Sequence, residues 1–171
     1  MIAATSNPHY LGAVTAPRQI YVARLFISPG HNFYGRYGQA PGDHALVERA
    51  EIRCIAGRGV ERDRFFDYKP DYKGQITFLA LEAFEDVCRK LGVTDKSPGV
   101  MRRNVVTVGV DLNSLIGQEF SVQGVRFLGT EESKPCLWMD QAIAPGAEEA
   151  LRGNGGLRAR ILSDGLLRAG L

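Results

Sequence analysis

The stretch RRNVVTVGVDLNSLIGQEFSVQGVRFLGTEESKPC, residues 102–136, says more about the fold than any other part of the chain. Its first part, 102–112, is rich in β-branched residues and predicts a strand. A short turn or helical piece is expected at 111–117. The segment 118–132 predicts a β-hairpin with Gln123-Gly124 as its turn. The stretch therefore favours a protein built mainly from short strands.

Outside this stretch the chain predicts several more short strands and only two helices. The better helix lies within GQITFLALEAFEDVCRKLG, where apolar residues recur at helical spacing and Gly92 provides a stop. Strands and helices do not alternate regularly, which favours a strand-rich barrel or sandwich with inserted helices. We expect strands at 20–29, within 47–66 and at 155–167, helices within 74–92 and at 144–153, loops at 30–44 and 133–140, and a loose or strand-like lead-in over 1–19.

The composition predicts one folded domain over residues 1–171. A chain of 171 residues can bury a core without disulfides or metals, and 44% hydrophobic with 23% charged residues argues against disorder. The net charge of +2 is too small to imply a nucleic-acid partner. No apolar stretch approaches the roughly 20 residues that cross a bilayer, and the start lacks a secretory pattern. We therefore expect a soluble protein without a nucleic-acid or membrane partner.

The cysteines and histidines contain no zinc-binding motif. Three cysteines is an odd number, which favours free thiols in a reducing compartment, and we expect a cytoplasmic protein. No C-x-x-C or H-x-x-x-H spacing occurs. The three histidines, His9, His31 and His44, lie in the first quarter of the chain, and we interpret them as surface or locally hydrogen-bonded residues.

The three thiols occupy different sequence contexts. Cys54 alternates with charged residues in a predicted strand, and Cys88 lies on the apolar stripe of the predicted helix, so both are expected in the core. Cys136 follows a proline in a predicted loop, close to Lys134 and directly before Leu-Trp-Met, residues that can wall a pocket. From the residues alone, Cys136 is either a reactive thiol or a structural one.

Clustered arginines suggest an anion site. Arg102 and Arg103 precede a predicted strand, while Arg158 and Arg160 follow a double glycine and share one strand face. Guanidinium groups together with exposed glycine N–H groups suit a phosphate, although arginines at strand ends commonly just face solvent. The triplet 62–64, Arg-Asp-Arg, equally fits an internal ion pair in a turn.

Four segments in the same order resemble a known family. They are AEIRCIAGRGVERDRF, KGQITFLALEAFE, RRNVVTVGVDLNSLIGQEFSVQGVRFLGTEESKPC and GNGGLRARILSDG, and they span about residues 47–167. Their order and content resemble the MOSC domain, the family named after the C-terminal region of molybdenum cofactor sulfurases. The lead-in strand and loop over 1–46 resemble those of small stand-alone members. The resemblance implies a mainly β, MOSC-type barrel with inserted helices.

The resemblance also implies a function. In the family, the cysteine that matches Cys136 binds the molybdenum of a pterin cofactor or carries a persulfide. Some members use the cofactor to reduce N-hydroxylated compounds. Arg102 and Asn104 match residues that help to hold the cofactor, and we expect Lys134 and Arg158 to assist with its phosphate and pterin. The implied partners are a small-molecule substrate and an external electron donor.

Two alternatives stay open at this stage. Cys136 could carry a persulfide made by a pyridoxal-phosphate cysteine desulfurase and deliver sulfur to metal centres. A plain anion- or nucleic-acid-binding module with an inert thiol is a further reading. The chain also departs from the family where Arg62 replaces a frequent glycine. We expect it to be without the additional N-terminal domain of larger members, so that either part of a cofactor site is missing or the long loop 30–44 supplies it.

Overall fold

The computed structural model describes residues 19–33 and 38–170. The lead-in expected before residue 19, His9 included, lies outside these residues, as does part of the predicted loop 30–44. The described strands are β1 (Tyr21–Ile27), β2 (Val47–Arg49), β3 (Glu51–Ile55), β4 (Gly59–Val60), β5 (Ile76–Ala80), β6 (Val105–Val108), β7 (Glu119–Val122), β8 (Val125–Glu132), β9 (Leu157–Ile161) and β10 (Gly165–Arg168). The helices are α1 (Leu81–Leu91), α2 (Leu137–Ala142) and α3 (Ala147–Ala150), with 3₁₀ turns at Pro98–Met101 and Leu112–Leu115.

The strands form a mixed sheet and a small second sheet. The larger sheet has the order β2-β1-β6-β5-β9-β8-β7, and the smaller has the order β10-β3-β4. All neighbouring strands are antiparallel except β5 and β6, which are parallel. The prediction of a mainly β protein with few helices is confirmed. Over the described residues no pairing joins the edge strands β2 and β7, so closure into a barrel stays a prediction.

The predicted hairpin is confirmed. Strands β7 and β8 pair from Glu119 opposite Leu128 to Val122 opposite Val125. Both turn residues have positive φ, 51° at Gln123 and 82° at Gly124, the combination that a tight two-residue hairpin turn requires. The turn type therefore fixes which side chains of β8 point inward.

The segment 74–92 contains both a strand and a helix. The apolar run at its start forms β5, which lies between β6 and β9 and is buried over its first four residues. The helix α1 follows directly and ends at Gly92, whose φ of 67° confirms the predicted stop. The expectation of a loop over 133–140 is wrong in part, because residues from Leu137 onward form α2.

Two apolar clusters hold these elements together. The larger fills the space between the two sheets and joins Cys54 and Val60 to Phe78 and Phe127. The smaller packs the three helices against the opposite face of the large sheet, through side chains such as Phe84. In the described part of the chain, no helix combines the length and the apolar character needed to cross a membrane.

The residue that departs from the family pattern occupies a strained position. Arg62 is exposed and has a φ of 65°, in the left-handed region that costs an L-residue about 1–2 kcal/mol. A glycine adopts this conformation without that cost. The neighbouring ion pair is present, because Arg64 Nη1 lies 3.4 Å from Asp63 Oδ1 and both side chains are buried. The triplet therefore fits the ion-pair interpretation.

Candidate functional site

The candidate site lies where β1 and β8 end and β6 begins. Arg102 Nη2 donates a hydrogen bond to Ser28 Oγ at 2.7 Å, and Arg103 Nη2 donates one to the Ser133 carbonyl at 2.8 Å. These bonds join the segments after β1, before β6 and after β8. Cys136 lies three residues beyond Ser133, so the same bonds position the loop that carries the thiol.

A cavity of about 290 Å³ opens at this junction. Cys136 lines it together with aromatic and apolar side chains, among them Trp138 and Met139. Five cationic side chains also line it, and no Asp or Glu does among the described residues. Arg64 and Arg158 also pair with Asp63 and Glu131, which lie outside the lining, and the remaining positive charge of this concave surface suits an anionic ligand. The five cationic residues are Arg64, Arg102, Arg103, Lys134 and Arg158.

Arg103 is fixed by backbone carbonyls on three segments. Its guanidinium donates to Gly155 O at 3.0 Å, to Met101 O at 3.1 Å and to Ser133 O at 2.8 Å. Burial first, and then repulsion from Arg64 and Arg158, lowers the pKa of Arg103 to about 10. The side chain therefore stays cationic at neutral pH.

Arg102 connects the cavity to the long loop. Besides Ser28, its guanidinium donates to Gly30 O at 2.7 Å and to His44 O at 3.3 Å, at the two ends of that loop. Burial, followed by repulsion from Arg64, lowers the pKa of Arg102 to about 10. Its own backbone is left-handed, with φ at 55°. Such strain is common at functional sites, where surrounding contacts hold it in place.

Asn104 lies behind the cavity and not in its lining. Its Oδ1 accepts from the backbone N–H of Thr77 at 3.1 Å and from Thr77 Oγ1 at 3.0 Å, and its Nδ2 donates to Phe26 O at 3.2 Å. These contacts tie β6 to β5 and β1. Direct contact between Asn104 and a cofactor stays a prediction, while the geometry shows that Asn104 supports the strand that presents Arg102 and Arg103.

Lys134 and Arg158 both line the cavity, whereas the two glycines before β9 are not exposed as the sequence predicts. Lys134 is exposed and has no ion pair in the described part of the chain. Arg158 Nη1 lies 3.1 Å from Glu131 Oε1. The double glycine is buried, and the Gly155 N–H donates to Glu132 Oε1 at 3.2 Å. The expectation of exposed glycine N–H groups for a phosphate is therefore wrong.

The three thiols separate as expected. Cys54 is fully buried, and burial raises its pKa to about 12. Cys88 is buried on α1, and burial with nearby carboxylates raises its pKa. Cys136 is half-buried and lines the cavity. Over the described residues, no group of three or more His, Cys, Asp and Glu side chains could bind a metal ion.

A sequence model of one family matches this chain. The MOSC domain model matches residues 65–170, which is more than half of the chain. The chain belongs to the MOSC domain family. The family is associated with molybdenum-cofactor-related function. The match confirms the resemblance over a shorter span than 47–167.

Solved structures share the fold of this MOSC domain. The YuaD protein of Bacillus subtilis superposes with a TM-score of 0.68 at 17% identity, over 88% of this chain and 91% of that one. YiiM of Geobacillus stearothermophilus gives 0.63 at 13% identity, over 88% of this chain and 72% of that one. YiiM of Escherichia coli gives 0.54 at 13% identity, covering 86% and 66% respectively. No curated protein matches the chain in sequence.

Two parts of the candidate site were not predicted from the sequence. Arg64 reaches the cavity because its Nη2 donates to Arg102 O at 2.9 Å. His31 and Phe33 bring the long loop into the lining, a position that the interpretation of His31 as a surface or locally hydrogen-bonded residue did not include. Partial burial, and then the charges of Arg64 and Arg102, lower the pKa of His31. The many glycines and aromatic residues of this loop were the sequence feature that could have indicated its contribution to the site.

Proposed function

We propose that this MOSC domain binds a molybdenum–pterin cofactor in the cationic cavity and reduces N-hydroxylated small molecules with electrons from an external donor. In this proposal the Cys136 thiolate is the metal ligand. The observation that carries it is the lining of the cavity, which brings Cys136 together with five cationic side chains and no carboxylate among the described residues.

The residues present fit two parts of such a cofactor. A cysteine thiolate binds metals, and Cys136 is the one cysteine of the three that lines the cavity. Arginine forks match the oxygen geometry of a phosphate. The volume of about 290 Å³ is at the lower end for ligand sites, roughly 300–1,000 Å³. A neighbouring cavity of about 350 Å³ shares Asn32, Arg102 and Trp138 with it and offers further room.

The chain contributes binding, orientation and charge. When bound, the cofactor supplies a metal centre for the two-electron reduction of an N–OH group, which consumes two protons and releases water and an amine. Arg102 and Arg103 are held by protein carbonyls before any ligand arrives, so binding orders few further side chains. Trp138 donates from Nε1 to Val100 O at 2.8 Å, which fixes the indole that walls the cavity.

Replacing Cys136 with alanine is expected to abolish metal retention. After reconstitution with the free cofactor, elemental mass spectrometry should find near one molybdenum per wild-type chain and almost none on Cys136→Ala. Cys88→Ala is the matched control, because Cys88 lies on α1 outside the cavity lining and should leave the ratio unchanged. Equal retention by wild type and Cys136→Ala would contradict the proposal.

A sulfur-carrier function is the second candidate, and the exposure of the thiol favours it. Cys136 is half-buried and precedes Leu137, whose side chain is 49% exposed, so a partner protein can reach this loop. Mass spectrometry after incubation with a cysteine desulfurase and cysteine should then find one added sulfur on Cys136. An adduct only on Cys54 or Cys88, or no adduct, excludes this candidate.

A further inference from the structure

The connector between β4 and β5 contains a duplicated tripeptide. The sequence DYKPDYK, residues 67–73, repeats Asp-Tyr-Lys on either side of a proline. Both aspartates are left-handed, with φ of 54° at Asp67 and 51° at Asp71. Asp tolerates this conformation better than most residues. The two tight bends bring the rings of Tyr68 and Tyr72 within 4.9 Å of each other.

These tyrosines belong to a group of four rings, which we call the aromatic cluster: His31, Phe65, Tyr68 and Tyr72. Phe65 lies 4.8 Å from His31, 5.5 Å from Tyr68 and 5.2 Å from Tyr72, measured between ring centroids. Three members line the cationic cavity, whereas Tyr68 does not. Tyr68 is 39% exposed, so the cluster runs from the cavity wall to solvent.

One lysine adds a positive charge to the exposed end of the cluster. Lys69 Nζ lies 5.8 Å from the Tyr68 centroid and 5.4 Å from the Tyr72 centroid. Lys69 has no ion pair in the described part of the chain, and the nearby Asp67 is paired with Arg58. The charge of Lys69 is therefore not neutralised by a carboxylate partner.

We propose that the aromatic cluster and Lys69 bind the substrate, and that they select a planar aromatic ring bearing a carboxylate or phosphate group. Aromatic faces and edges stack on planar rings, and the ammonium group attracts the anionic substituent. This inference rests on the proposed function for the reaction itself. It assigns the exposed end of the cluster, Tyr68 with Lys69, to the substrate, because Tyr68 lies outside the cavity that contains Cys136 and the cofactor-binding cations, whereas the other three rings line it.

A role in packing alone does not explain this arrangement. A ring that serves only the core is normally buried, whereas Tyr68 keeps 39% of its surface exposed. The connector also holds Asp67 and Asp71 in the left-handed region, which Asp adopts more readily than most residues, and these bends place Tyr68 beside Tyr72. The exposed ring of Tyr68 and the adjacent ammonium group of Lys69 therefore favour a binding surface.

A matched pair of probes tests the ring selectivity. Benzoate and cyclohexanecarboxylate carry the same charge on rings of similar size, but only benzoate is planar and aromatic. In NMR titrations of the cofactor-free chain, we expect benzoate to bind about 3- to 10-fold more tightly. Tyr68→Leu keeps an apolar side chain without a π face and should lower the ratio, while the three remaining rings of the cluster keep it above one.

Two further variants sharpen the test. Tyr21→Leu should leave the ratio unchanged, because Tyr21 is also exposed but lies at the opposite end of β1 from Ser28, roughly 20 Å away. Lys69→Gln should weaken both probes about equally and leave the ratio as in wild type. A wild-type ratio near one, or an unchanged ratio in Tyr68→Leu, would overturn the inference.

The test of the aromatic cluster can fail or succeed independently of the test of the proposed function. The probe titrations need no metal, so failure of molybdenum retention does not affect them. Conversely, Tyr68→Leu should retain molybdenum like wild type. In the loaded protein, Tyr68→Leu should raise KM for an aryl carboxylate substrate with little change in kcat, because the cluster contacts the ring and not the reacting N–O bond.

Discussion

Replacing Arg103 with alanine is expected to lower the free energy of unfolding by about 3–5 kcal/mol. The guanidinium donates to the carbonyls of Met101, Ser133 and Gly155, and the change leaves all three oxygens without this donor. Each such loss at a buried group costs about 1–3 kcal/mol, and water entering from the cavity offsets part of it. Denaturant unfolding monitored by circular dichroism measures the loss.

Arg158→Ala is the control for this prediction. Arg158 lines the same cavity, but it pairs with the partly exposed Glu131 and such a pair contributes about 0–1 kcal/mol. Both variants remove one positive charge from the cavity, so both should weaken phosphate binding. Only Arg103→Ala should also destabilise the fold strongly. A similar loss of stability in the two variants would show that Arg103 acts through charge alone.

The predictable parts of the fold are those with local signals. Gln123-Gly124 specifies a two-residue turn, and the structure shows the positive φ values that this pair accommodates. Gly92 likewise ends α1 in the left-handed conformation. The alternation around Cys54 correctly placed that thiol on the buried face of β3. In each case the information lies within a few neighbouring residues.

The missed elements depend on contacts distant in sequence. Strand β5 is apolar except for Thr77 because both of its faces are covered, one by the core between the sheets and the other by the helices, and a buried strand that runs directly into α1 carries no boundary signal. Helix α2 has only six residues and is marginal by itself. Its Trp138 donates to the Val100 carbonyl in the 3₁₀ turn Pro98–Met101, a contact that the sequence does not reveal.

The sequence predicted which residue types form the candidate site, but not which of them line the cavity and which support the strands behind it. The sequence and the resemblance indicated Cys136 and clustered arginines, and the structure brings Cys136, Arg102, Arg103 and Arg158 to one cavity. It also gives Asn104 the role of joining three strands. Asn104 differs from the arginines because it lies outside the cavity lining, and only the assembled sheet determines that position.

Replacing Gly156 with alanine is expected to cost about 3–5 kcal/mol and to displace the loop that carries Cys136. Gly156 has a φ of 108°, and an added Cβ would lie 2.2 Å from the carbonyl oxygen of Phe78. That oxygen belongs to β5 at the centre of the sheet, so moving it would disturb the pairing of β5 with its neighbouring strands. Gly156 O also accepts from the Ser133 N–H at 2.7 Å, which links the strain to the Cys136 loop.

Gly153→Ala separates the two causes of this loss of stability, the backbone strain at positive φ and the close contact of the added Cβ with Phe78 O. Gly153 has a similar positive φ of 80°, but an added Cβ would meet nothing within 4 Å, so only the backbone strain of about 1–2 kcal/mol applies. Denaturant unfolding should therefore place Gly153→Ala between wild type and Gly156→Ala. Because β9 starts one residue after Gly156, only Gly156→Ala should also weaken phosphate binding through Arg158. Equal losses in the two variants would mean that the close approach to β5 does not constrain this site.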